Sequence, residues 1–152
     1  MTRIEHGIVI PAPVEQVFDY AADYRRWSEW FEGVANVKPT TEVERGSGAR
    51  YAYKVHFLSV SVRVETEIHD FVRDHGWAGT ATKGIAHRTR WRFEPVVGGT
   101  RFTYTLEYRL PAAALGRMID SWLVKPQWDR IIAKSLDNLK RRFAVAPVER
   151  SL

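Results

Sequence analysis

The sequence predicts a single α+β domain in which a curved, mostly antiparallel sheet wraps around a long C-terminal helix, with two short helices after the first strand. Two observations support this fold. Apolar and polar residues alternate with a period of two through most of residues 34–110, as in half-buried strands. From residue 126 the period lengthens to three or four residues, which indicates an amphipathic helix. Because the apolar face of the sheet needs a partner, we expect it to curl around that helix.

The size and composition of the chain fit one soluble domain. It has 152 residues, of which 45% are hydrophobic and 27% charged, and a chain of this size buries roughly 70% of its unfolded surface. Six Trp, six Tyr and seven Phe are many for this length, so their rings are expected to line a core or a cavity. We expect one domain over residues 1–146 and a short tail over 147–152.

Several classes of function are disfavoured by composition. The sequence has no Cys, so neither disulfides nor thiolate chemistry can contribute. The first residues lack the apolar region of a signal peptide, and no apolar run approaches the ~20 residues of a membrane span, so a cytoplasmic location is expected. The net charge of +5 could favour an anionic partner. No nucleic-acid-binding motif accompanies this charge, so we expect no nucleic-acid partner.

The first 31 residues predict a strand and two short helices. Residues 3–10 alternate as in a half-buried strand, which ends at Pro11. Pro13 suits the first turn of a helix, and Asp23 suits both the end of that helix and the cap of the next. The aromatic side chains of the second helix are interpreted as packing against one end of the sheet rather than as ligand contacts. These residues are Tyr24, Trp27, Trp30 and Phe31.

Six further strands, joined mostly by glycine-containing turns, are predicted between residues 34 and 110. The first, over 34–44, contains Pro39, which predicts an edge position or a bulge. The strand that follows the turn at Asp74 carries Gly79 and other small residues, which indicate close approach or bending. The last two strands form a hairpin across Gly98 and Gly99. The strands after the first are predicted over 49–57, 60–68, 77–81, 85–94 and 101–110.

Two helical stripes follow the last strand. The apolar stripe before residue 124 points roughly 140° away from the stripe after residue 126, at about 100° per residue. One straight helix cannot bury both stripes, and Pro126 is placed where it can end one helix and begin another. The sequence therefore predicts a short helix over 112–124, with Trp122 and Leu123 in its buried stripe, and a long helix over 126–143.

The segment IPAPVEQVFDYAADYRRWSEWF, from Ile10 to Phe31, resembles the START-like (SRPBCC) superfamily. Its members open with a strand, a Pro-led helix and an Asp before a Trp-containing short helix. The glycine-linked strands and the segment LDNLK at residues 136–140 are similar to the polyketide cyclase/dehydrase and coenzyme Q-binding-like branch. The resemblance covers essentially the whole chain.

This resemblance implies a helix-grip fold that encloses an apolar cavity for a lipid, quinone, polyketide or similar ligand, and it implies no cofactor. Two functions stay open. One is the binding or carriage of a hydrophobic small molecule, and the other is cyclase/aromatase- or dehydratase-like catalysis on a polyketide-type carbonyl substrate. A nuclear-transport-factor-like cone places its long helices before the sheet, which is the reverse of the order found here.

The alternation of each strand predicts which side chains face the cavity. Phenol, imidazole and hydroxyl groups in an apolar pocket need partners, so such a cavity suits a partly polar guest that is ring-shaped or long-chained. The predicted ligand-binding residues are Tyr51, Tyr53, Val55, Val64, Trp77, His87, Thr89, Trp91, Tyr104, Leu106 and Tyr108 from the sheet, and Trp128, Ile132 and Leu136 from the helix.

His87 is the best inward candidate for a catalytic acid or base. The glutamates of the strands fall on outward positions, so no carboxylate orients this imidazole, and a hydrogen-bonded core histidine is the stronger interpretation. His69 and His75 stand beside two aspartates near a turn, too few and too exposed to predict a metal site. The glycine pairs lie between strands and predict turns rather than phosphate loops.

Arginines form a stripe along the predicted outer face of the last two strands. A solvated surface, partly paired with Glu107, accounts for this stripe. The alternative is transient contact with an anionic membrane surface, from which a lipophilic ligand would be collected. The sequence does not determine the oligomeric state. The stripe consists of Arg88, Arg90, Arg92, Arg101 and Arg109.

Overall fold

A computed structural model describes residues 1–111 and 120–144 and confirms the predicted α+β architecture. Within these residues, seven strands form one curved antiparallel sheet in the order β1-β7-β6-β5-β4-β3-β2. The strands are β1 (Thr2–Ile10), β2 (Val34–Pro39), β3 (Arg50–Phe57), β4 (Val60–Val72), β5 (Gly76–Lys83), β6 (Ala86–Val96) and β7 (Gly99–Arg109).

Two short helices connect β1 to β2, as predicted. The first is α1 (Val14–Ala21), which follows the extended Pro13. A 3₁₀ turn at Tyr24–Arg26 then leads into α2 (Trp27–Trp30). The Asp23 carboxylate caps this turn, because it accepts a hydrogen bond from the Arg25 backbone N–H at 3.1 Å.

The strand that contains Pro39 lies at an edge of the sheet, and it also has a bulge. Its register shifts between Ala35 and Lys38, where Asn36 adopts a positive φ of 58°. β2 ends at Pro39, earlier than the predicted residue 44. The predicted edge position and the predicted bulge are thus both confirmed. Pro39 is tolerated in β2 because an edge strand has one side without a hydrogen-bonded neighbour, where no N–H is needed.

The C-terminal helix differs from the prediction at its start. A π-helical turn at Asp120–Val124 continues directly into α3 (Lys125–Arg142), so Pro126 does not separate two helices. The proline occupies the first turn of α3, where no N–H is needed. Trp122 and Leu123 are 81% and 50% exposed, so their predicted burial is wrong. Residues 112–119 of the predicted short helix and residues 147–152 of the tail lie outside the described residues.

The wider π-helical turn gives a physical reason for this difference. Its hydrogen bonds span five residues instead of four, so each such turn shifts the direction in which later side chains point. Helical structure therefore continues from Asp120 into α3, while Trp122 and Leu123 are left facing solvent. Among the described residues, none of the helices is both long and apolar enough to cross a bilayer.

The sheet and α3 enclose a core that is unevenly filled. At one end, α1 and α2 pack on the sheet, and the buried Phe93 and Phe102 rings stack with centroids 4.7 Å apart. We call this the closed end. α3 is fixed there by Ser135, whose Oγ accepts a hydrogen bond from the Glu32 N–H at 2.8 Å.

The other end of the sheet carries the β3–β4 and β5–β6 turns, together with the start of β1 and the end of β7. The π-helical turn and the first turn of α3 lie across it, since the Trp128 ring stacks on Phe57 at a centroid distance of 4.8 Å. We call this end the mouth, and we define it by Phe57, Ile85, Leu110, Val124 and Trp128. The space between the mouth and the closed end is the candidate functional site.

Candidate ligand-binding cavity

An apolar cavity of about 130 Å³ lies between the concave face of the sheet and the first turns of α3. Its floor is made by Trp27 and Phe31 from the short helices, and its rim is the mouth. Eleven of the fourteen predicted ligand-binding residues line it, because the strand alternation brings them to one face. These eleven are Tyr53, Val55, Val64, Trp77, His87, Thr89, Trp91, Tyr104, Leu106, Tyr108 and Trp128.

The other three predicted residues do not line the cavity. Ile132 and Leu136 are 0% and 2% exposed because α3 packs directly on the core at these positions and leaves no gap. The Tyr51 ring instead stacks on Tyr24, and its hydroxyl donates a hydrogen bond to the Glu44 carbonyl. It belongs to a separate surface cleft, so none of the three residues lines the cavity.

Several wall residues were absent from the predicted site. The sequence predicts packing roles for Trp27 and Phe31. Trp27 does anchor its helix, because its Nε1–H donates a hydrogen bond to the Ala21 carbonyl at 2.8 Å. The same ring nevertheless faces the cavity. For the strand residues the signal was present, since each falls on an inward position of its strand. The wall residues outside the predicted set are Trp27, Phe31, Val34, Phe57, Val62, Thr66, Ile68, Ile85, Leu110 and Val124.

A chain of hydrogen bonds crosses one wall of the cavity. His87 Nδ1 is 2.8 Å from the Ile85 carbonyl oxygen, and its Nε2 is 3.1 Å from Thr66 Oγ1. Thr66 Oγ1 is in turn 3.0 Å from the Tyr53 hydroxyl. Both ring nitrogens of His87 therefore have partners within the protein.

The direction of these hydrogen bonds follows from the chemistry of the groups. Burial lowers the pKa of His87, although the hydrogen bond to the Ile85 carbonyl opposes this, so the imidazole is neutral near pH 7. A carbonyl can only accept, so Nδ1 carries the single proton and Nε2 accepts. The Thr66 hydroxyl consequently donates to Nε2, and the Tyr53 hydroxyl donates to Thr66.

The two strands that carry Thr66 and His87 are not neighbours, since β5 lies between β4 and β6. Between them, Ala81 of β5 pairs with Thr66 and has a small side chain, and Gly79 leaves room for Thr66 and Thr89 to approach each other. A Cβ at Gly79 would lie 2.7 Å from Thr89 Oγ1 and 2.8 Å from Thr66 Cγ2, closer than real contacts allow. The close approach predicted from the small residues of this strand is therefore present at Gly79.

The remaining tyrosines of the wall differ in their partners. Tyr108 donates a hydrogen bond to Asp120 Oδ1 at 2.6 Å, and Thr2 also binds this carboxylate, so Asp120 ties the π-helical turn to β7 and β1. The hydroxyls of Tyr104 and Thr89 make no hydrogen bond with any described residue. Burial raises the pKa of Tyr104 well above its usual value, and a charge on nearby Tyr53 would raise it further.

No Lys, Arg, Asp or Glu lines the cavity among the described residues. The cavity therefore presents rings, aliphatic groups and a few neutral hydroxyls, and burial of a charged ligand there would be costly. In the part of the chain that the structure describes, no group of three or more His, Asp or Glu side chains could hold a metal ion. His6 of β1 contacts Asp129 at 2.8 Å outside the cavity.

The outer face of the sheet carries the predicted arginine stripe. Arg88, Arg90 and Arg92 are exposed there, and Arg88 pairs with Glu107 at 2.9 Å. An exposed pair of this kind contributes little to stability. Contact of this stripe with an anionic membrane stays a prediction.

A curved antiparallel sheet that grips a C-terminal helix, with short helices after the first strand, defines the helix-grip fold of START-like proteins. A family profile described as polyketide cyclase/dehydrase and lipid transport matches residues 1–144. The chain therefore belongs to this family, as its sequence resemblance predicts. A search of curated proteins finds no match.

Solved structures of low sequence identity share this fold. A protein of Thermus thermophilus is 21% identical with a TM-score of 0.82, covering 99% of this chain and 100% of that one. An aromatase/cyclase of a Streptomyces species, Zhui, is 15% identical with a TM-score of 0.75, covering 93% of this chain and 92% of that one. A START superfamily protein of Mycobacterium smegmatis is 14% identical with a TM-score of 0.73, covering 93% and 99%.

Proposed function

We propose that this protein binds and carries a hydrophobic, ring-containing small molecule in the cavity between the sheet and α3. The observation that carries the proposal is the wall itself, whose described residues combine apolar side chains and stacked rings with neutral hydroxyls and include no Lys, Arg, Asp or Glu. Such a lining favours an uncharged, mostly apolar guest. Membership of a family described by lipid transport as well as by cyclase and dehydrase activity supports a ligand of this kind.

The volume of the cavity limits the guest. An engineered protein cavity of about 150 Å³ holds one benzene molecule, so about 130 Å³ accommodates no more than about one ring, and a substituent has to extend toward the mouth. A longer ligand would extend through the mouth, where Trp128 and Phe57 offer further aromatic surface. Carriage, rather than chemistry, is favoured because both nitrogens of His87 are already occupied by Ile85 and Thr66.

A test of this proposal fills the cavity and compares the result with a matched change on the other face of the same strand. Leu106→Phe adds a ring into the cavity, whereas Thr103→Phe adds the same ring to the outer face of β7. We expect p-xylene to bind the unmodified protein and Thr103→Phe in calorimetric titrations and to lose at least tenfold in affinity for Leu106→Phe. Native mass spectrometry after lipid and quinone extraction then identifies the natural guest.

Two results would count against the proposal. Equal affinity of p-xylene for both variants would mean that it binds elsewhere on the protein. Purified protein that yields no small molecule on extraction, and binds none of a panel of apolar ring compounds, would remove the carrier function.

A second candidate function is cyclase- or dehydratase-like catalysis on a polyketide-type carbonyl compound. The Tyr104 hydroxyl supports it, because a donor without a protein partner could polarise a carbonyl or stabilise an enolate. His87 could take part only after its hydrogen bond with Thr66 is released. His87→Ala should then abolish turnover of an identified substrate while its affinity stays nearly intact, and unchanged turnover would exclude His87 from the mechanism.

A further inference from the structure

The hydrogen-bond chain in the cavity wall has a fixed direction that constrains what the ligand offers. Each hydrogen of the chain is already used, since Tyr53 donates to Thr66, Thr66 donates to His87, and His87 donates to the Ile85 carbonyl. The Tyr53 oxygen still has lone pairs but has no hydrogen left to give. Toward the cavity, Tyr53 can therefore only accept a hydrogen bond.

The Tyr104 hydroxyl is in the complementary state. It lines the same cavity and makes no hydrogen bond within the described residues. Its hydrogen is free to be donated. A ligand acceptor that takes this hydrogen inside an apolar cavity therefore gains affinity.

We infer that the bound molecule carries a hydroxyl group, a phenol or an alcohol, which donates a hydrogen bond to the Tyr53 oxygen, and that the Tyr104 hydroxyl donates to an acceptor atom of the same molecule. This inference rests on the proposed ligand-binding function and specifies its chemical class. A hydroxyl is the smallest group that is donor and acceptor at one atom, so it offers both the hydrogen that the Tyr53 oxygen can accept and a lone pair that can accept from Tyr104.

Other common polar groups fit less well. An ether or a ketone accepts from Tyr104 but cannot donate to Tyr53. A carboxylate places a negative charge against the lone pairs of Tyr53, and no cation among the described lining residues would compensate it. The expected order of affinity among compounds of similar size is hydroxyl, then ether or ketone, then carboxylate.

The test compares four para-substituted toluenes that share one ring and differ in the second substituent. They are p-cresol, p-xylene, 4-methylanisole and 4-methylbenzoate, and their dissociation constants are measured by calorimetry at pH 7. In the unmodified protein, p-cresol should bind about three- to tenfold more tightly than 4-methylanisole, the difference expected for one buried hydrogen bond. 4-Methylbenzoate should not bind measurably.

Two variants locate the effect. Tyr53→Phe removes the acceptor and should lower the preference for p-cresol over p-xylene by about three- to tenfold. Tyr51→Phe is the matched control, because this tyrosine lies two residues away on the same strand and its hydroxyl binds the Glu44 carbonyl outside the cavity. We expect it to keep the preference of the unmodified protein.

The outcomes separate the inference from the proposed function. If p-xylene binds but 4-methylanisole binds as tightly as p-cresol, the hydroxyl assignment is wrong while the apolar cavity remains a binding site. An unchanged preference in Tyr53→Phe also overturns the assignment. If none of the four compounds binds, the proposed function fails with it. The comparison of ligands in the unmodified protein stands even if Tyr53→Phe does not fold.

Discussion

The closed end and the mouth are both rich in aromatic side chains, but the rings are packed differently. At the closed end Trp30, Phe93 and Phe102 are almost wholly buried, and each contacts further rings at its edge or face. At the mouth, Phe57 and Trp128 stack on each other while both remain partly exposed. Rings at the closed end therefore stabilise the fold, whereas those at the mouth cover an opening.

The largest expected effect is on stability at the closed end. Phe102→Ala should lower the free energy of unfolding by about 3–5 kcal/mol, because it leaves a cavity among fully buried rings. Phe57→Ala at the mouth should cost less than half as much, since that ring is partly solvated already. Urea unfolding followed by circular dichroism measures both. Equal losses would show that the two ends contribute alike to the core.

The next effect concerns the opening of the mouth. Asp120 holds the π-helical turn by accepting hydrogen bonds from Tyr108 and Thr2. Asp120→Asn should weaken these contacts by about 1 kcal/mol, which corresponds to about fivefold faster amide exchange over residues 120–128. Hydrogen exchange followed by mass spectrometry measures this.

The control for this experiment is Asp137→Asn, which removes only the exposed pair of that residue with Arg141 on the same helix. It should leave exchange at the mouth unchanged, and neither variant should alter exchange of the β6–β7 hairpin at the closed end. Faster exchange at both ends in Asp120→Asn would mean that the mouth does not open independently.

The smallest effect is a pH dependence confined to the closed end. The hydrogen bond from Arg25 lowers the pKa of Asp23, against the opposing effect of partial burial. A lowered pKa stabilises the fold above the unfolded pKa of about 3.9, and this contribution is lost as pH falls through the folded pKa. Asp23→Asn should therefore flatten the fall in melting temperature below about pH 4. An identical acid profile in the variant would exclude Asp23 as its source.

Alternation within the strands predicted most of the fold and the greater part of the site. Trp91 and Tyr104 could be assigned to the cavity because Arg90 and Thr105 beside them belong to the opposite face. The period of a helix or strand shows which way its side chains point, however, and not whether those side chains meet other core atoms or an empty cavity. Ile132 and Leu136 point inward as expected but meet other core atoms, so the sequence alone could not distinguish packing from cavity wall.

The hydrogen-bond chain could not be predicted in this way. Thr66 and His87 lie on strands that are not adjacent, and their contact reaches across the small residues of β5. The small residues of β5 indicated close approach but not which groups would meet. The continuous π-helical start of α3 was missed for a related reason, since regular periodicity assumes one helical geometry throughout.

Gly79 has a further consequence for how binding specificity can change. A single methyl group at that position, as in Gly79→Ala, would press on Thr66 and Thr89, two residues of the cavity wall. Because Thr66 links Tyr53 to His87, this change would disturb the hydrogen-bond chain without adding any group to the cavity. Preference for one polar group over another in the ligand can therefore depend on a residue outside the described cavity lining.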